Sequence, residues 1–302
     1  MAINSISTAE KYSAELDKAL VQKSVTGFLA DNVLKAQFVG AKTVRIPDID
    51  FVGLVDYDKD NGFNRSAVTV AHESFTMTMD RARSVSIDRE DMDEAGIASL
   101  AGSILGEYVR TQAAPECDAY VLSKLAGVAN TNDSTVAWDG TKPFAVFNEL
   151  MTKVQNEAGY DEELVCFIDG NAYAALRNSP EIARYIDTTS FKQGGVDMTV
   201  KSINGVALIP VTPSRMKTMF VFEKTASSGA VGGFAADGSA KAIHMLVMPK
   251  KAASLVKKTE TMRIWTPEQN IDADAYKFDY RVYYDVFVKK SHLKTIWGSF
   301  GE

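Results

Sequence analysis

The stretch YKFDYRVYYDVFVKK, residues 276–290, alternates with a period of two. Tyr276, Phe278, Tyr280, Val282, Tyr284, Val286 and Val288 fall on one face, and Lys277, Asp279, Arg281, Tyr283, Asp285, Phe287 and Lys289 on the other. Side chains alternate across a strand, so the pattern predicts one extended strand with a buried face and a mostly wet one. At about 3.3 Å per residue it runs roughly 40 Å, well beyond the usual strand of about five or six residues. A beam of that length has to support something, and the rest of the chain says what.

The 302 residues, 46% of them hydrophobic, give ample core for one large domain or two smaller ones. No run approaches eighteen apolar residues, and MAINSISTAEKYSAELDKAL lacks the basic start and apolar centre of a secretory signal. A soluble, cytosolically made protein with no membrane partner is expected. Cys117 and Cys166 lie far apart without a CxxC and read as buried thiols. The formal net charge of −6 disfavours tight nucleic-acid binding across the whole surface, while leaving room for a local basic patch.

Upstream of the beam, the first forty residues carry helically spaced Tyr12, Leu16 and Leu20, then Val25, Phe28, Leu29, Val33 and Leu34. So short a segment has no core of its own and reads as an arm that lies on something else. From Lys42 the pattern turns to strands: KTVRIPDIDFVGL, a turn-rich tip with Asn61-Gly62, and a returning ribbon SAVTVAHESFTMTMDRARSVSID. On that ribbon Thr69, Ala71, Glu73, Phe75, Met77 and Met79 share a face, continued by Arg81 and Arg83. A two-stranded hairpin is marginal in water, so this one needs another surface, from the rest of the chain or from a second copy. Phe51, Leu54, Tyr57 and Phe63 put apolar groups at a tip that solvent should favour as polar.

Asp88 opens a helix with acidic residues in its first turns. Ala98, Gly102 and Gly106, four apart, suggest close approach of another backbone, and Pro115 begins a second helix or a kink. The middle third mixes a helix ended by Gly159, a buried strand LVCFIDG, a helix from Asn171, and an apolar strand entered through Asn204-Gly205. SSGAVGGFAADGSA has the composition of a flexible surface loop. KAIHMLVMP and LVKKTETMRIW are further strands, the second joined to the opening beam. Two elongated two-stranded features thus flank a compact mixed domain.

Chemical motifs are scarce. Asp56, Asp58 and Asp60 have the first spacings of a calcium loop, but Asn61 stands where glycine belongs and Ala67 where a bidentate Glu belongs, so a solvated acidic tip is favoured. His72, His244 and His292 are scattered without HExxH or a cysteine pair and read as ordinary strand histidines. GAVGGFAADG lacks the GK[ST] ending of a phosphate loop and the GxGxxG order of a dinucleotide site, and there is no GxSxG elbow. No catalytic residue, cofactor or metal is expected. Arg81 and Arg83 suit a nucleic-acid backbone or, preferentially, acidic residues of a neighbouring subunit.

This order of parts, with APECDAY, INGVALIPV and DADAYKFDYRVYYDVFV, resembles a tailed-bacteriophage major capsid protein of the HK97-like fold, over most of the chain from Lys42 onward. The resemblance implies an α+β fold with an N-terminal arm (1–41), an extended hairpin or E-loop (42–87) and a spine helix with the first part of a peripheral domain (88–141). An axial domain (142–256), a peripheral β-ribbon (257–290) and a return strand (291–302) complete it. It implies hexamers and pentamers of an icosahedral shell around double-stranded DNA, touched without sequence preference, in a virion made in the host cytoplasm. Portal and decoration proteins, and a separate scaffolding protein or none, are the implied partners. Phe51, Leu54, Tyr57, Phe63, Arg81 and Arg83 become subunit-interface candidates, and no motif for a Lys–Asn cross-link can be matched. An encapsulin-like nanocompartment shell, another virion component and a soluble enzyme without recognisable motifs are the competing readings.

Overall fold

The computed structural model describes residues 24–32, 37–40, 42–50, 69–90, 106–179, 186–193, 196–223 and 232–301, with 53, 57 and 59 singly. In chain order the elements are β1 (Gln37–Val39), β2 (Thr43–Asp50), β3 (Thr69–Thr76), β4 (Met79–Asp88), α1 (Ala114–Thr131), β5 (Thr135–Ala137), α2 (Pro143–Ala158), β6 (Leu164–Asp169), α3 (Gly170–Asn178), β7 (Ile186–Gln193), β8 (Val196–Ile203), β9 (Val206–Val211), β10 (Phe220–Phe222), β11 (Phe234–Ala236), β12 (Ile243–Pro249), β13 (Ala253–Trp265), β14 (Ala275–Val288) and β15 (Trp297–Phe300).

The expected beam is β14, but it is the middle of three strands and not one of two. It pairs antiparallel with β13 on one side and with β4 on the other. The ribbon read as one return strand therefore divides. Residues 69–76 pair with β2, the ladder closes with the Met77 N–H donating to the Lys42 carbonyl at 2.8 Å, and two residues later the chain joins β14 at Met79↔Tyr284. Alternation continues through the switch, which is why the pattern alone did not reveal it.

One face of β14 is buried as expected: Phe278, Tyr280, Val282, Tyr284 and Val286 enter the main core. Tyr108 meets Tyr280 edge-on at 6.1 Å, and Tyr120 meets Tyr284 at 5.8 Å. The opposite face departs from expectation halfway along. Arg281 is exposed, yet Tyr283, Asp285 and Phe287 are buried, because Val44, Ile46 and Met77 of the β1–β2–β3 sheet cover Tyr283 and Phe287 with Val256. A strand covered on both sides reads as a near-continuous apolar run, which YYDVFV is.

The helix expected from Asp88 lies outside the described residues from 91 to 105. Residues 106–108 are helical, Val109–Ala113 form a π-helical turn, and α1 follows with Pro115 in its first turn. Proline has no N–H to give and its ring crowds the carbonyl four residues back, here that of Thr111, so the backbone widens there and the helix continues.

The mixed domain is a seven-stranded sheet in the order β5-β15-β12-β6-β9-β8-β7, parallel between β6 and β9 and between β15 and β5. All six residues of β6 are buried: Val165 and Phe167 face α1 and the ribbon, Cys166 and Ile168 face α2. Asn204 (φ 51°) and Gly205 (φ 79°) make the tight β8–β9 turn, where both central residues need positive φ. The glycine-rich loop is shorter than its composition suggested. From Phe234 it is strand β11, paired with β10 and held by Phe234 packing on Phe220 at 5.3 Å. The described part of the expected arm is also integral to the body: Phe28 and Leu29 lie in the main core, Phe28 stacking on Phe167 at 6.0 Å.

Candidate functional site

Where the projecting β1–β2–β3 sheet leaves the body, Thr78 is the residue between strands of two different sheets. Asp285, fully buried in the middle of an aromatic run, reaches it. One carboxylate oxygen, Oδ2, accepts from the Thr78 N–H at 2.9 Å and from Thr78 Oγ1 at 3.1 Å. The other, Oδ1, accepts from Tyr120 OH at 2.8 Å, from the Val286 N–H at 2.8 Å and from Lys124 Nζ at 2.5 Å. Tyr120 and Lys124 are four apart on α1 and so share a helix face. Burial, and then the nearby Asp285 charge, push the Tyr120 hydroxyl well above its ordinary range, which keeps it a donor. An unpaired buried carboxylate costs several kcal/mol, so five donors on one group mark a joint that has to stay closed. Tyr283 OH adds a bond to the Met77 carbonyl at 3.1 Å, and Phe75 stacks on Phe287 at 4.9 Å.

A second fully buried carboxylate, Asp118 on α1, holds the N-terminal segment. It accepts from Ser24 Oγ (2.5 Å), Val25 N–H (3.2 Å), Thr26 N–H (3.1 Å), Thr26 Oγ1 (2.7 Å) and Arg215 Nη1 (3.1 Å). Burial pushes its carboxyl above the ordinary range, and the bonds from Ser24 and Thr26 pull it back. Sequence reasoning missed both carboxylates. The available signal was an acid at a position whose neighbours are all apolar: Asp285 inside YYDVFV, and Asp118 beside Cys117 on the face that carries Val121, Leu122 and Leu125.

Of the six interface candidates, Phe51, Leu54 and Phe63 lie outside the described residues, as do Asp56, Asp58 and Asp60 of the acidic tip. Tyr57 is described and is 61% exposed. Arg81 is engaged within its own chain, with Nε 2.5 Å from Glu116 Oε1 and Nη2 3.2 Å from the Gly233 carbonyl, so it ties β4 to α1 and to the β10–β11 hairpin. Arg83 is exposed beside it. Among the described residues no group of three or more His, Cys, Asp or Glu is placed to hold a metal. His244 sits with Nδ1 3.1 Å from Asp169 Oδ2 and stacks on Trp138 at 4.5 Å. Both cysteines are free and buried, and burial pushes the Cys166 thiol up to about 12.

Among the described residues the exposed large apolar groups are Phe38 and Val39 on β1, Tyr57 beyond β2, Val85 on β4, Tyr160 after α2, Met219 and Val221 at β10, and Ile271 at the far turn of the ribbon. Single exposed apolar residues are ordinary; the two on β1 are adjacent and lie on the edge strand of the hairpin sheet.

No family model matches the chain, and no curated protein does. Solved structures do match over nearly its whole length. A structure from Gordonia phage Cozz superposes with a TM-score of 0.60 at 12% identity, covering 91% of this chain and 86% of that one. The capsid structure of cyanophage P-SCSP1u gives 0.56 at 14% identity, covering 88% and 85%. The asymmetric unit of the bacteriophage PhiM1 mature capsid gives 0.53 at 14%, covering 86% and 82%. This chain has the fold of those phage structures, two of them capsids, as its resemblance to tailed-phage major capsid proteins leads one to expect.

Proposed function

We propose that the chain is the major capsid subunit of a tailed bacteriophage and that it has a structural, not an enzymatic, role. One observation carries the reading: a body with its own two-sided core bears a hairpin sheet whose edge strand, β1, is exposed along all three residues, in a fold shared over most of the chain with phage capsid structures. Extended pieces with little cover of their own gain it from identical neighbours, and repeated identical contacts close into rings and shells.

On this reading the β1–β2–β3 sheet with the residues between Asp50 and Thr69 is the E-loop, and the helix through α1 belongs to the spine. The β13–β14–β4 ribbon is the peripheral domain and the seven-stranded sheet the axial one. Tyr57, with Phe51, Leu54, Phe63 and Arg83, contacts the next subunit, while Arg81 braces the peripheral domain from inside. Subunits group as hexamers and pentamers around double-stranded DNA, in a virion that also carries a portal and, where used, decoration proteins. Electron micrographs of the purified protein test this. Closed particles without protein cargo are expected, and a small discrete oligomer at every concentration, or shells filled with protein cargo alone, would contradict it.

A further inference from the structure

We infer that Asp285 is the positioning residue of the hairpin: its carboxylate sets the direction in which the β1–β2–β3 sheet leaves the body and, in an assembled shell, the curvature between neighbours. The first half stands on geometry alone; the second rests on the shell function proposed above.

The division of labour on the carboxylate carries the inference. Oδ1 takes only groups of the body, Tyr120 and Lys124 of α1 and the Val286 N–H of β14, whereas Oδ2 takes only Thr78, the last residue before the chain changes sheets. One rigid planar group thus has one oxygen on the platform and one on the arm. The apolar contact beside it is a small cluster, with Val44, Ile46 and Met77 against Val256, Tyr283 and Phe287. Apolar contact is non-directional and tolerates rocking, while hydrogen bonds weaken steeply with angle, so the bearing is set by the polar joint. There the Thr78 Oγ1–Tyr120 OH bond (3.0 Å) and the Tyr283 OH bond to the Met77 carbonyl (3.1 Å) stand beside the carboxylate, which alone takes four bonds from side chains and backbone of both parts besides that of Lys124. The arm is also a lever. Strands of eight residues reach about 27 Å, so a small rotation at Thr78 becomes a displacement of several ångströms at the far end.

Spin labels at Ser74→Cys on the exposed side of β3 and at Glu157→Cys at the end of α2 read the bearing in the isolated subunit, and the native cysteines are buried. Asp285→Glu keeps the charge but lengthens the bridge by one methylene, and it shifts the inter-label distance. Asp285→Asn keeps the length but weakens the hold of Lys124, and it broadens the distribution. Tyr283→Phe removes the bond to the Met77 carbonyl without touching the carboxylate, and it changes the distribution less than either Asp285 variant. Distances unchanged in both Asp285 variants would overturn the inference. Where those variants do not fold, Thr78→Val, altered on the arm side only, takes their place under the same criterion. In micrographs, Asp285→Glu particles differ from the parent in diameter. A distance shift without any particles from the parent protein would count against the shell function alone, whereas normal particles with unshifted distances would count against the positioning role alone.

Discussion

Strands β6 and β1 sit at opposite ends of one scale. Every side chain of β6 is buried, between α1 and the ribbon on one face and α2 on the other, whereas every side chain of β1 is exposed. Both belong to sheets of this chain, yet one sheet makes a core and the other borrows one. The seven-stranded sheet brings its own cover on both sides; the three-stranded sheet rests its proximal half on the back of β14 through one small cluster. The body therefore holds most of the core, and the hairpin sheet holds little of it. Substitutions in the two regions should fail differently.

The largest effect is expected from Tyr280→Asp, which puts a carboxylate into the main core, where Tyr280 is 5% exposed and faces Met262 on one neighbouring strand and Arg83 on the other. Its cost exceeds about 4 kcal/mol, enough to abolish a cooperative denaturant transition; an unchanged midpoint would show that this face of β14 is not the buried one. Asp118→Ala comes next. It strands Arg215 and the Ser24–Thr26 donors in a buried site and costs about 3 kcal/mol. Limited proteolysis within residues 24–32 should then precede cleavage of the body, and simultaneous cleavage would mean that the segment is not separately latched.

Ile46→Ala sharpens the contrast from the other side. Its side chain is 5% exposed, as buried as Tyr280, but it sits in the satellite cluster. The cost, about 2 kcal/mol, should fall on the projection, so hydrogen exchange rises across 43–50 and 69–76 while β6 and β12 keep their protection. Equal loss of protection in β6 would erase the distinction between the regions. The smallest effect concerns Cys166. With its thiol held near 12 and no exposure, it remains protonated at pH 8 and resists iodoacetamide until the body opens. Modification at the rate of a free thiol would show that β6 is not the closed centre of the sheet.

Much of this was legible in the amino-acid order. Period-two alternation located β14, the uniform apolarity of LVCFID located a strand buried on both faces, and Asn204-Gly205 fixed a turn that only positive φ allows. Pairing partners were not legible. Alternation from Thr69 to Ile87 is unbroken, so the transfer from β2 to β14 at Thr78 leaves no mark on the period. Nor was the cover on the back of β14 legible, since it comes from residues some 240 positions earlier in the chain. The engagement of Arg81 within its own chain was not legible either. Its neighbours arrive from α1 and from the β10–β11 hairpin, both distant in sequence.

The central claim is that the projection serves other copies of the chain and not its own body. Replacing Gly53–Gly62 by a short turn and imaging the purified variant beside the parent tests it most directly. The account predicts closed particles from the parent and, from the variant, a folded subunit with the parent's denaturant midpoint that builds none. Normal particles from the shortened chain would contradict it.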